Sequence, residues 1–384
     1  MNAIDGRWHS LFAAAALALG CGGGDGPDDG SGGGGGPSGS VRIAQFNVQG
    51  LSTDKLLDPA NGQVRAVTEI VARFDPDILC IEELEYDLEG VPVAEQVPGR
   101  FDGGAQNAAR IAAALNAATS GAPYEHTLIT LSNSGFLWAG PDNGVLEFGS
   151  RGAGELADMN YGIVSRYPIL KDQVRVVTDV AWSDLPDNVT AQMQSEIGAV
   201  VPEGYPLFSK ALVIAPIDVD GEVLVIVLLH PVPPIIYPTW PYRNHDELGG
   251  ARALLDGVLP GVDPLPEDAR FVLVGDLNAD PDDGDSLPGA IRQLLDHPRL
   301  VPYQPEGAGT GGNNPQRNTN VSDCPSTTPI DPTASFQLQL DYLMPSATIG
   351  EPLDGGVFFP AESADFDLAC RGSDHMMLWA ELPW

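Results

Sequence analysis

The chain has 384 residues and sets 53 acidic side chains against 19 basic ones, a formal net charge of −34. That balance keeps a protein soluble and repels polyanions at long range, and no row of Lys and Arg exists to hold a nucleic-acid backbone non-specifically. A hydrophobic content of 43% with 34 prolines excludes a disordered chain and describes a globular, loop-rich one.

Taken in order, Leu11 to Leu19 is an apolar run too short to span a bilayer, with Arg7 before it. Leu17-Ala-Leu-Gly-Cys21 then resembles a bacterial lipoprotein cleavage box, with Ala18 where Leu is usual. Residues 1–21 are therefore expected to direct export, with Cys21 as the lipidation point and simple secretion as the alternative. The expected location is the cell envelope or the outside of a bacterial cell. Residues 22–40 are almost wholly Gly, Asp, Ser and Pro, which cannot build a core and read as a flexible tether. Of the remaining cysteines, Cys80 lies in an apolar run and packs as a small hydrophobe. Cys324 and Cys370 lie in polar loops and are expected to form a disulfide.

Val41 to Asn47 alternates like a strand and stops at a polar residue. Gly62 to Phe74 places Val64, Val67, Ile70 and Val71 on one helical face, closed by Asp75-Pro76. Asp77 to Ile81 is a buried strand ending in Glu82-Glu83. Ala105 to Ala118 reads as a helix, Ser132 to Asp158 as loops or short hairpins, and Tyr161 to Pro168 as a strand running into a turn. Strands over 211–215 and 223–229 flank the hairpin signal Asp220-Gly221, and the second ends at His230-Pro231. A helix is expected over 246–259, capped by Asn244 or His245. Phe271 to Val274 is a core strand delivering Gly275-Asp276-Leu-Asn278. After a long loop over 302–332, Leu338 to Tyr342 is expected as a strand carrying Asp341. Ser373-Asp374-His375 opens the last strand, 376–382.

Asn47, Glu83, His230, Asp276, Asn278, Asp341, Asp374 and His375 thus all sit at or beside strand ends, in six separate short motifs. Singly, each has a bland reading as a turn former, a solvated strand end or a core histidine. Eight together point to a site. Carboxylates with an Asn oxygen suit a hard cation such as Mg²⁺ or Mn²⁺, and a His beside a carboxylate suits proton abstraction. A calcium loop from Asp276 is the weaker reading, because Pro281 replaces the required glycine and Leu287 the closing Glu.

The order of these motifs resembles the endonuclease/exonuclease/phosphatase superfamily over residues 41–384, with Glu82 where Gln is usual in the Gln-Glu pair. The resemblance implies one domain, 41–384, with an α/β four-layer αββα sandwich, two mostly antiparallel sheets face to face and helices outside. It implies Mg²⁺ or Mn²⁺ held by Glu83, Asn47 and Asp374, and His375 as the base that takes a proton from water, oriented by Asp341. Asp276 and Asn278 are implied to place the nucleophile or a second metal, and His230 and Asn278 to bond the phosphoryl oxygens. Hydrolysis of a phosphate ester follows.

Arg166, Tyr161, Arg243, Asn244 and His245 are candidate substrate contacts, because a helix start carrying Arg, Asn and His can grip a phosphate. Charge favours a phosphorylated small molecule or lipid headgroup over nucleic acid, with a deoxyribonuclease-like enzyme as the alternative. A monomer is expected, meeting a membrane through its lipid anchor at most. The competing class is a non-catalytic surface module that keeps the fold for binding; it would show loss of a base or metal carboxylate, and none is missing.

Overall fold

In the computed structural model, residues 39–139, 146–148, 157–308, 320–321, 337–360 and 363–384 are described. Along the chain run strands β1 (Ser40–Leu51), β2 (Ile78–Leu84), β3 (Arg100–Phe101), β4 (His126–Leu131), β5 (Leu137–Ala139), β6 (Leu146–Phe148), β7 (Asn160–Ser165) and β8 (Arg175–Val177). They continue with β9 (Leu212–Val219), β10 (Glu222–Leu229), β11 (Arg270–Asp276), β12 (Asn320–Val321), β13 (Gln337–Leu338), β14 (Asp341–Pro345), β15 (Asp354–Val357) and β16 (Leu378–Pro383). The helices are α1 (Thr53–Leu57), α2 (Gly62–Phe74), α3 (Asn107–Ala118), α4 (Thr190–Ile197), α5 (Trp240–Leu255), α6 (Arg292–Leu295) and α7 (Ser363–Gly372).

One sheet has the order β15-β16-β1-β2-β7-β4-β3 and the other β14-β11-β10-β9-β8. Each contains one parallel pair, β1 with β2 and β10 with β11; all other pairs in the two sheets are antiparallel. Alternation sorts each strand's side chains. Val41 and Ile43, Ile78 and Cys80, Leu224, Ile226 and Leu228, and Val272 and Val274 meet in a core between the sheets. The opposite row of the first sheet, including Phe46, Leu79 and Ile81, packs under Val67 and Ile70 of α2 and Ile111 and Leu115 of α3. The opposite row of the second, including Val225, Val227 and Leu273, packs under Leu248, Ala251 and Leu254 of α5. Both faces of the central strands are therefore buried, which is why they read as continuous apolar runs. The result is a four-layer α/β sandwich.

Several boundaries differ from the sequence reading. Helix α5 starts earlier, at Trp240, with Thr239 as N-cap and Pro241 in the first turn, where a missing N–H costs nothing. Asn244 and His245 are thus inside the helix rather than at its cap. It ends at Leu255 because Gly257 turns the chain at φ 73°. Asp341 begins β14 instead of ending a strand, since β14 runs antiparallel to β11 and Asp341 pairs with Asp276. Helix α7 is additional, lying against α2 with Leu368 in the outer core. Cys80 is free and buried; Cys370 is disulfide-bonded, and Cys21 and Cys324 lie outside the described residues.

Candidate active site

The inner rows do not stay apolar. In β1 the row Val41, Ile43 continues as Gln45 and Asn47; in β2 Ile78, Cys80 continues as Glu82; in β11 Val272, Val274 continues as Asp276. The row of β10 continues past Leu228 to His230, and β14 opens with Asp341. At one end of the sandwich the core becomes polar, and side chains from both sheets face one another there.

Asp276 is the hub. Its Oδ2 lies 3.1 Å from Asn47 Nδ2, 3.2 Å from His230 Nε2 and 3.7 Å from His375 Nε2, while its Oδ1 accepts from Asn278 N at 3.0 Å. Burial would raise this carboxyl, but His230, His375 and Lys210 outweigh it and hold it below the usual carboxylate range. His375 Nδ1 lies 2.7 Å from Asp341 Oδ2. Burial disfavours the His375 imidazolium, yet Asp341 and Asp276 together keep it well above the usual imidazole range. Asp341 itself is raised by burial despite His375. Its other oxygen accepts from Gln45 Nε2 at 2.9 Å, and the same amide nitrogen donates to Glu82 Oε2 at 2.6 Å. Glu82 is fully buried, and burial with the nearby Asp341 pushes its carboxyl well up.

Two local devices aim the remaining groups. The register of β2 against β7 shifts between Glu82 and Leu84, and Glu83 takes φ 57°, a left-handed conformation that a Glu adopts at a cost of about 1 kcal/mol or more. This bulge removes Glu83 from the alternation and brings Oε1 to 3.2 Å from Asn47 Nδ2. Ser373 Oγ donates to Asn47 O at 2.7 Å and accepts from His375 N at 3.0 Å, fixing the Ser-Asp-His turn on the end of β1. Gly275 of β11 must lack a side chain where it passes the end of β10: a Cβ there would stand 1.9 Å from Leu229 O.

The family model described as "Endonuclease/Exonuclease/phosphatase family" matches residues 44–375, from the middle of β1 through His375. The chain belongs to this family. Members of the endonuclease/exonuclease/phosphatase family hydrolyse phosphoester bonds, and this chain is a hydrolase of that class. No curated protein sequence matches it. Among solved structures, it is similar to an endonuclease/exonuclease/phosphatase from Beutenbergia cavernae DSM 12333, at 19% identity and TM-score 0.52, covering 90% of this chain and 72% of that one. An endonuclease/exonuclease/phosphatase family protein from Leptotrichia buccalis C-1013-b matches at 14% identity and TM-score 0.51, covering 90% and 100%. Both likenesses are likenesses of fold.

The donor chemistry fits a hard divalent cation. Carboxylate oxygens of Glu83 and Asp276 converge on the single Asn47 amide, and ligand atoms of Asp276, Asp341 and His375 lie within 4.8 Å of one another. In the second group His375 Nδ1 already faces Asp341, so Glu83 is the less committed carboxylate.

Of the expected residues, the fold brings together Asn47, Glu83, His230, Asp276, Asn278, Asp341 and His375, with Asp374 beside Ser373 at the same turn. It does not bring Arg166 there. Ser165 pairs with Ile78, at the opposite end of β2 from Glu83, and the Arg166 guanidinium binds Asp75 and Asp77 over the Tyr124 ring. Tyr161 is in the intersheet core, its hydroxyl donating to Ala211 O at 2.9 Å. Arg243 is buried, bonding Leu207 O, Tyr205 Oη and Pro206 O. Asn244 Nδ2 ties Val232 O to Leu277 O and Asn278 O, and His245 Nδ1 lies 2.9 Å from Asp246. Gln45 and Lys210 join the site without having been expected there from the sequence. Gln45 had a signal, being a polar residue in the inward row of a core strand.

Proposed function

We propose that this protein is an exported, divalent-metal-dependent phosphoesterase that cleaves its substrate by in-line attack of water activated by His375. The observation that carries the reading is the buried chain Asp341, His375, Asp276, His230, in which two carboxylates and two imidazoles from both sheets meet at one end of the sandwich. A cation held by Glu83, Asn47 and Asp374 would neutralise the phosphate charge that develops during the reaction. Asp341 holds Nδ1 of His375, leaving Nε2 to take the proton of water and Asp341 to stabilise the imidazolium. Asp276, kept ionised, orients the nucleophile and the two imidazoles. His230 and Asn278 bond the phosphoryl oxygens.

A phosphorylated small molecule or lipid headgroup is the favoured substrate class. The strongly negative chain supports this, as do Arg166 and Arg243, which are engaged in the scaffold rather than offered to a long polyanion. Export is supported by the Leu17 to Cys21 box and the Gly-rich stretch after it. Incorporation of labelled fatty acid, abolished in Cys21→Ala, is the expected result of lipidation.

The test of catalysis is a panel of plasmid DNA, single-stranded RNA, inositol phosphates, sphingomyelin and a chromogenic diester, with Mg²⁺ or Mn²⁺, run beside His375→Ala. Hydrolysis of a phosphate monoester or diester by the natural chain alone is expected. Normal metal binding without hydrolysis of any of them would defeat the reading. Activity on DNA falling steeply with salt would instead favour a nuclease.

A further inference from the structure

Behind His230 the chain leaves the sheet through His230-Pro-Val-Pro-Pro234, a segment in which three of five residues have no N–H. His230, Pro231 and Val232 are buried and lie past the end of the β10 ladder, so their carbonyls need donors from elsewhere. Side chains supply them. Lys210 Nζ donates to His230 O at 3.1 Å and to Pro231 O at 3.3 Å. Asn278 Nδ2 donates to Pro231 O at 3.1 Å, and Asn244 Nδ2 to Val232 O at 2.9 Å. The Val232 N–H donates to Glu247 Oε2 at 2.7 Å, while Glu247 Oε1 accepts from Ser209 N beside Lys210.

Lys210 is one of only three lysines in the chain and is 2% exposed. A buried ammonium is costly, and burial pulls it down to about 8 although Glu247, Glu83 and Asp276 favour its charge. No part of the proposed reaction uses it directly. Its contacts point to a role behind the site: it bonds the backbone of the residue whose imidazole faces Asp276, and Nδ1 of that imidazole has no partner among the described residues. The ring of His230 is therefore oriented by Asp276 in front and by its own backbone behind.

We propose that Lys210 is a positioning residue for phosphoester hydrolysis, holding the His230-Pro231 carbonyls so that the His230 imidazole stays aimed at Asp276 and the phosphoryl group. The proposal rests on the phosphoesterase reading, and the test separates the two. Lys210→Met keeps the apolar stem and removes all three donors; Lys210→Arg keeps charge and donors. In the full chain, Lys210→Met should lower kcat on a chromogenic diester by about tenfold or more with KM changed by less than about threefold. Lys210→Arg should recover part of that loss. In a His230→Ala background the same Lys210→Met change should have almost no further effect, because the two side chains act as one unit. The His230 imidazole NMR signals should move in Lys210→Met while the His297 signals stay in place.

Losses that multiply independently in the double variant, or unmoved His230 signals, would overturn the assignment. Should Lys210→Met not fold, Lys210→Gln takes its place and is read in the same way. If the natural chain hydrolyses nothing, the phosphoesterase reading fails, and the His230 signals alone decide the role of Lys210.

Discussion

His375 Nδ1 stands 2.7 Å from Asp341 Oδ2, and both groups are almost completely buried. With Nδ1 held in this way, only Nε2 is available to exchange a proton with water. His375→Ala should lower kcat by on the order of 10²–10⁴-fold, and Asp341→Asn should cost a comparable amount by losing the orientation and the charge. Steady-state kinetics on a chromogenic diester measures both; wild-type kcat in either variant would remove the base assignment.

The same pair sets a pH dependence. Asp341 and Asp276 raise His375 above the ordinary imidazole value of 6.5, so the proton-accepting form is lost at a higher pH than for a free imidazole. The acid limb of kcat should therefore have its midpoint above about 6.5, and Asp341→Asn should move it to lower pH. A pH profile of kcat in each protein decides this; a midpoint moving upward contradicts it.

Glu83 leaves the strand alternation at φ 57°, a costly conformation, and meets Asn47. Chelation should abolish activity and added Mg²⁺ or Mn²⁺ should restore it. Glu83→Gln should raise the metal concentration for half-maximal activity by about ten- to a hundredfold. An unchanged metal titration in that variant would show that the cation is held elsewhere.

Glu82 is a buried acid whose folded-state carboxyl is raised well above 4.5. Its contribution to stability is fully present below the unfolded value and is lost as pH rises toward the folded one, because the unfolded chain ionises first. Glu82→Gln does not titrate, so its stability advantage should grow from about pH 4.5 upward, by up to about 1.4 kcal/mol per pH unit in that window. Urea unfolding of metal-free protein at several pH values tests this, and a constant difference between the two proteins would refute it.

Arg166 joins Asp75 and Asp77 and covers the Tyr124 ring at 4.7 Å from its centroid, away from the strand ends that form the site. Arg166→Ala should cost about 1–3 kcal/mol of stability while leaving KM unchanged. A raised KM with unchanged stability would restore this arginine as a substrate contact.

The sequence located the strands that deliver the site, because each apolar run stops at a polar residue and both strand faces are buried. It also located α2 to the residue, where Val67, Ile70 and Val71 mark one face and Asp75-Pro76 ends it. The motifs from Asn47 to His375 sufficed for the family and the layered fold. It misplaced the start of α5 and left out α7, whose short apolar face has meaning only against α2.

What only the tertiary structure decided is which polar groups serve the site and which serve the scaffold. Arg166 and Arg243 look in sequence like phosphate ligands, yet their partners lie on segments far away in the chain, and His245 turns to the adjacent Asp246. Gln45 and Lys210 look unremarkable, yet the facing of the two sheets sets one against Asp341 and the other beneath His230. Alternation fixes which side of a strand a residue occupies. The packing of one sheet on the other fixes what it meets there, and that long-range register is carried by no local pattern.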